Sequence, residues 1–330
     1  MDKFKAYRLH EAEKKVAGRF EDVTLDELDP GEVVIRVAYS SVNYKDALAA
    51  TGTGRIIRRF PCIGGIDLCG TVTRSADARF AKGDAVIATS YDIGVAHDGG
   101  YAEYARIPAA WVVPMPKGMS LFDTMALGTA GYTAALAVLR METNGLTPAS
   151  GPVVVSGASG GVGSIAVDIL SRLGYHVVAL TGRQAQSDYL KSLGAKEVLL
   201  RQRLDLSKIK PLDKATWAGA VDNLGGEVLA WMASTMQQGG TIASIGLAAS
   251  MNLNTTVAPF ILRGACLLGI DSGYTPMALR QQVWGRLASD MRPKHLKDMT
   301  RTIAFEALPG VFDGFLKGQG KGRIVVDLAA

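Results

Sequence analysis

The strongest constraint in this sequence is the run Gly157-Ala158-Ser159-Gly160-Gly161-Val162-Gly163, which follows the apolar stretch Val153 to Ser156. After it, Ile165, Ile169, Leu170 and Leu173 fall on one helical face before Gly174 closes the helix. Strand, glycine turn and helix in that order gather backbone N–H donors at a helix start. There Gly160, Gly161 and Gly163 remove the side chains that would keep a pyrophosphate from the backbone. The spelling departs from G-x-G-x-x-G in carrying Ala158, but the context predicts dinucleotide binding.

About twenty residues on, where an NAD site places a carboxylate against the ribose 2′-hydroxyl, the chain reads Thr181-Gly182-Arg183, with no acid between Asp168 and Asp188. A guanidinium pairs with a 2′-phosphate that a carboxylate would repel, so NADP(H) is expected over NAD(H). Arg201, at the end of the third strand of this region, is expected to add a second positive charge; its alternative reading is a solvated surface arginine.

Further strands are expected at His176–Leu180, Glu197–Leu200, Ala218–Val221, Thr241–Ile245 and Cys266–Ile270. Six strands with intervening helices predict an α/β fold, a doubly wound parallel sheet with its ligand crevice at the carboxyl ends. The chain before it is β-rich, with strands at Val33–Tyr39, Ala85–Ala88 and Ala110–Val113, then a long helix over Thr124–Leu139. After Asp271 the alternation stops, leaving a helix over Pro276–Ser289 and a last strand, Arg323–Leu328, expected to fold back onto the first domain. The domain reading is 1–123 plus 273–330, and 124–272.

Composition narrows the class. Apolar residues make up 48% of 330, ample for a core, and 36 basic against 31 acidic residues leave +5, too mild for a nucleic-acid or membrane surface. Cys62, Cys69 and Cys266 are widely spaced without a C-x-x-C pair, and Met1 to Lys5 opens no apolar leader, so a reduced cytoplasmic setting is expected. The uncharged stretch Val228 to Leu262 is broken by Gln237, Gln238, Asn252 and Asn254, and reads as buried structure and not as a membrane span.

The order of motifs resembles the zinc-free medium-chain dehydrogenase/reductase superfamily. Carrying the resemblance are Ser40-Ser41-Val42-Asn43-Tyr44-Lys45-Asp46-Ala47, Gly65-Ile66-Asp67, Gly128-Thr129-Ala130-Gly131-Tyr132-Thr133-Ala134, the segment Ala215 to Asp222, and Pro259-Phe260-Ile261-Leu262-Arg263. These look like the quinone oxidoreductase-like branch that includes the NADPH-dependent acrylyl-CoA reductases. The resemblance implies a GroES-like catalytic domain beside a Rossmann NADP-binding domain, and a homodimer in which Cys266–Ile270 pairs with its symmetry mate. Zinc-dependent relatives carry a Cys near Asn43, a Gly-His-Glu near Gly65 to Asp67 and a four-Cys lobe. All three are missing here, and His10, His97, His176 and His295 have no metal-ligand spacing.

What remains is hydride transfer to an electrophilic substrate, such as a double bond conjugated to a thioester or a quinone. An enoyl thioester needs a hydride at Cβ, relief of charge on the thioester oxygen and a proton at Cα. The resemblance implies catalytic roles for Tyr44, which donates the proton or packs on the nicotinamide, and for Asn43, which orients it. Asp67 is expected to act first as a structural hydrogen-bond acceptor. It further implies Tyr44 and Thr129 beside the nicotinamide, Ser159, Gly160, Gly161 and Val162 on the pyrophosphate, and Thr181, Gly182 and Arg183 on the 2′-phosphate. Leu247, Ile261 and Ser272 line the nicotinamide half, and Gln319 stands where an amide contact is expected. Substrate contacts are expected from Arg323 and from Arg55 and Arg58, in a cluster with Arg59 suited to the phosphates of coenzyme A. Against this reading stand a quinone or α,β-unsaturated carbonyl reductase on the same scaffold, and an NADPH-binding sensor without turnover.

Overall fold

The computed structural model describes residues 3–318 and 320–328. The chain forms two compact units: Met1–Thr129 with Gly273–Ala288 and Leu296–Ala330, and Ala130–Ser272 with Ser289–His295.

In the first unit, the antiparallel pair Phe4–Ala12 and Lys15–Val23 joins Cys62–Ile63 in a small sheet. A larger sheet runs in the order Thr300–Ala304, Arg323–Asp327, Val33–Ser41, Asp67–Ser75, Ala85–Thr89, Val112–Pro114, with Tyr104–Ile107 also paired to Val33–Ser41. Its apolar inner residues, among them Val33, Ile35, Leu68, Val86 and Ile107, bury completely or nearly so. The C-terminal strand folds back as expected, with Val325 opposite Ser41 and Asp327 opposite Tyr39. This antiparallel order has a functional result. Ser41 ends its strand, while Asp67 and Arg323 begin theirs, so three polar side chains from distant sequence meet at one end of the sheet.

In the second unit six parallel strands run Glu197–Leu200, Val177–Thr181, Val153–Val155, Trp217–Asp222, Met236–Ser244, Cys266–Gly269. The order reverses between Val153–Val155 and Trp217–Asp222, which makes the space beyond their carboxyl ends the binding crevice of a doubly wound sheet. Val153, Val154 and Val155 are wholly buried, as a central strand covered on both faces requires.

Two elements differ from the sequence reading. The fifth strand begins at Met236 and not at Thr241; Gly239, at a φ of 68°, and Gly240 lie inside a strand whose register shifts between Trp217 and Gly219 on its neighbour. The long helix runs Leu121–Thr143, interrupted at Gly128, whose φ of 51° and ψ of −154° leave the helical region. A Cβ there would lie 2.6 Å from Asp67 Oδ2, 2.8 Å from an Arg323 nitrogen and 2.9 Å from Ser41 Oγ, so only glycine lets the helix break against this polar group. By length and composition this helix would span a bilayer, but 83% of its apolar window is buried in the protein.

Candidate active site and dinucleotide crevice

In the first unit the site is a buried polar cluster centred on Asp67, which is fully buried. Its Oδ2 accepts from Ser41 Oγ at 2.6 Å, Asn43 Nδ2 at 2.8 Å and the Thr129 N–H at 2.9 Å, and its Oδ1 from Thr129 Oγ1 at 2.5 Å. The guanidinium of Arg323 closes the cluster: Nε donates to the Ala126 carbonyl at 2.9 Å, one terminal nitrogen to Asn43 Oδ1 at 3.1 Å and the other to Ser41 Oγ at 2.9 Å. Asp67 is thus the structural acceptor expected of it.

One expectation is corrected here. Arg323, read as a substrate-anion contact, is 2% exposed with its nitrogens engaged inside the protein. Asn43, read as catalytic, spends its amide N–H on Asp67 and Ser41 and its carbonyl on Arg323, and reaches the neighbouring Tyr44 only through the backbone at the start of the helix Tyr44–Thr51. Tyr44 itself is 42% exposed.

Behind Asn43 lies a second buried carboxyl, Asp46, which accepts the N–H groups of Asn43 at 2.8 Å and Ile66 at 3.0 Å. Burial, and then the charge of Asp67, push it up to about 7. Around it Arg323 brings the positive charge, and Tyr101, whose own hydroxyl is pushed far above its ordinary value by burial, faces the same two carboxylates. The sign follows from linkage: between about 4 and 7 the folded chain holds a proton that the unfolded chain has lost, so this group lowers stability as pH rises through that window. Thermal melts of the wild type are therefore expected to fall from pH 5 to pH 8 more than those of Asp46→Asn. Parallel curves for the two proteins would show that Asp46 does not titrate there.

The side chains present do not fit a catalytic metal. Among the described residues no three His, Cys, Asp or Glu groups converge, and the carboxylate Asp67 is already met by four hydroxyl or amide donors and the Arg323 charge. His97 is packed between the carbonyls of Asp98 and Pro30, and His10, His176 and His295 pair with Glu21, Glu197 and Asp168.

In the second unit the glycine loop closes on itself. A Cβ on Gly163 would lie 2.4 Å from the Gly157 carbonyl oxygen and 2.7 Å from the Ala158 Cα, so helix and loop approach as closely as a phosphate cradle requires. Gly160 precedes the helix Gly161–Arg172, on which Val162 occupies the first turn. Arg183 reaches back from the end of the neighbouring strand to donate to Ser159 Oγ at 2.8 Å, its N–H held by Thr181 Oγ1 at 3.1 Å. Arg201 Nε approaches the Cβ position of Gly182 to 4.0 Å. Ser159, Thr181, Gly182, Arg183 and Arg201 therefore share one corner of the crevice. Leu247 follows the strand Met236–Ser244 and is exposed, and Ser272 follows Cys266–Gly269 and bonds Thr133 at 2.8 Å.

Ile261 lies on the short helix Ala258–Leu262 and is exposed. It lies two residues before Arg263, which bonds the carbonyls of Ser234 and Met236 at the amino end of a strand, opposite the glycine loop. In the first unit, exposed Arg58 is paired to Asp92 at 3.2 Å and Arg59 to Asp29 and Asp98, while Arg55 is exposed without an ion pair among the described residues. Gln319 lies outside the described residues.

Residues 29–117 match the alcohol dehydrogenase GroES-like domain and residues 161–289 the zinc-binding dehydrogenase domain. The chain belongs to the medium-chain dehydrogenase/reductase superfamily. Within it, the chain falls in the zinc-free, quinone oxidoreductase-like branch of oxidoreductases. It is 46% identical over 316 residues to the acrylyl-CoA reductase AcuI of Ruegeria pomeroyi, covering 96% of each chain. It is 47% identical over 326 residues to the Bacillus subtilis protein YhfP, named a putative quinone oxidoreductase, covering 98% of this chain and 99% of that one. Among solved structures, the Salmonella enterica YhdH oxidoreductase in complex with NADP superposes with a TM-score of 0.95 at 44% identity, over 98% of this chain and 99% of that one. B. subtilis YhfP with NAD bound superposes with a TM-score of 0.97 at 47% identity, over 99% of this chain and all of that one.

Proposed function

We propose that this enzyme is an NADPH-dependent reductase that transfers a hydride to the β-carbon of a short enoyl-CoA thioester, converting acrylyl-CoA to propionyl-CoA. The observation that carries the cofactor choice is Arg183 lying against Ser159, in a stretch with no acid between Asp168 and Asp188. The substrate choice draws support from the 46% identity to an acrylyl-CoA reductase. A bound NADPH supplies the hydride; the chain's own residues have the remaining tasks.

Gly160, Gly161 and Val162 offer the helix start to the pyrophosphate, and Thr181, Gly182, Arg183 and Arg201 receive the 2′-phosphate. The cluster of Asp67, Asn43 and Arg323 holds Thr129 and the backbone of Tyr44 in fixed positions. Tyr44, exposed at the first turn of its helix, hydrogen-bonds the developing enolate oxygen or passes a proton to Cα. Arg55 and Arg58 form an exposed basic flank suited to the phosphates of coenzyme A, with Asp92 as the group that a phosphate must displace from Arg58. The strand Cys266–Gly269 is the edge of its sheet, with Leu267 exposed, which supports pairing with a second copy in a cytoplasmic homodimer.

The quinone reductase reading keeps its place because YhfP, equally similar, carries that name. NADPH oxidation with acrylyl-CoA, free acrylate and 1,4-benzoquinone separates the two. The thioester is expected to be turned over with at least a hundredfold higher kcat/KM than the free acid. Equal rates on both acyl forms, or benzoquinone as the best acceptor, would overturn the thioester assignment.

A further inference from the structure

Asp222 ends the strand beside the glycine-loop strand and is completely buried, yet no step above uses it. Its Oδ1 accepts from Ser156 Oγ at 2.7 Å, the residue from which the glycine loop departs. The same Oδ1 accepts the Leu224 N–H at 3.2 Å, and Oδ2 the Gly225 N–H at 2.8 Å, in the loop after its own strand. Its main-chain carbonyl accepts the N–H groups of Ile245 at 2.9 Å and Gly246 at 3.2 Å, which begin the loop after the next strand and lead to Leu247. Ser156 completes the circuit by accepting the Asn223 N–H at 2.9 Å. One residue thus ties together three loops that leave the carboxyl ends of adjacent strands at the point where the strand order reverses.

We propose that Asp222 is a positioning residue for the dinucleotide, a strut that sets the height of the glycine loop against the loops at 223–225 and 245–247. It touches no reacting atom in this role. A buried carboxylate suits the task because it accepts several hydrogen bonds at fixed angles; burial pushes its pKa up, and the donors Ser156, Gly225 and Leu224 pull against that shift. Because the strut acts on the pyrophosphate and nicotinamide side, and the 2′-phosphate corner is held separately by Thr181 and Arg183, its loss is expected to weaken NADPH and NADH by the same factor. This assignment rests on the reading of the crevice as the cofactor site.

The test compares wild type, Asp222→Asn and Ser156→Ala by fluorescence titration with NADPH and with NADH, by kcat at saturating NADPH, and by the melting temperature of the free protein. Asparagine keeps one acceptor for Ser156 but turns an N–H toward that of Gly225; losing that bond is expected to raise both dissociation constants about tenfold. Ser156→Ala, which removes a hydroxyl without burying a new polar group, is expected to raise both about threefold, and decides the matter if Asp222→Asn does not fold. In both variants kcat at saturation stays within about twofold of wild type, since chemistry begins once the cofactor is seated. Lower melting temperatures with unchanged dissociation constants would reduce Asp222 to a stability residue and overturn the proposal. So would weakening confined to NADPH. A wild type that binds neither nucleotide would overturn the functional reading as well, whereas wild-type binding with unaffected variants would overturn this assignment alone.

Discussion

Arg323→Ala is expected to destabilise the protein by about 3–5 kcal/mol, read from the urea midpoint, because it strands two buried carboxyl groups without their positive partner. Removing the guanidinium also leaves the Ala126 carbonyl, the Asn43 carbonyl and Ser41 Oγ short of a donor inside the first unit. Lysine should not rescue it, since a single ammonium cannot reach across donors that the planar fork spans. Combining Arg323→Ala with Asp67→Asn should recover part of the loss, because the second change removes a charge the first left unpaired. A loss below about 1 kcal/mol for Arg323→Ala would show that water or a side-chain shift takes over from the guanidinium.

Arg183→Ala is expected to cost about 1–3 kcal/mol of NADPH binding, roughly five- to 150-fold in dissociation constant, and to leave NADH nearly unchanged. The reason is local. Arg183 stands at the end of its strand with its guanidinium on Ser159, and the segment from Asp168 to Asp188 has no carboxylate to favour a free 2′-hydroxyl. Fluorescence titration with the two nucleotides reads the ratio directly. Equal weakening of both would move Arg183 from 2′-phosphate recognition to general support of the loop, a question sharpened by the NAD bound to B. subtilis YhfP.

Much of the second unit is legible in the sequence. All but one of the six strands of the parallel sheet are short, mainly apolar runs bounded by polar or glycine signals, and the glycine loop sits between two of the clearest elements. The strand that starts at Met236 is hard to read at its beginning because Gln237 to Gly240 form an irregularity, with Gly239 at a φ of 68°, and only the pairing of Met236 with Trp217 on the neighbouring strand places the start there. The cofactor corner was visible too, since it depends on residues within one or two turns of strand ends.

The first unit's cluster was not legible in the same way. Asp67 is recognisable as an acceptor, but Arg323 reads from the sequence as a substrate contact. Arg323 and its partner Asn43 lie 280 residues apart in sequence and meet only through antiparallel pairing of the last strand with Val33–Ser41. Local chemistry, then, is enough to dictate a nucleotide loop, because hydrogen-bond donors, glycines and helix start are all near neighbours along the chain. Which buried charges neutralise one another is set by strand order and register. A carboxylate without a partner inside the core costs more than a misplaced turn, so the fold itself chose Arg323 for Asp67.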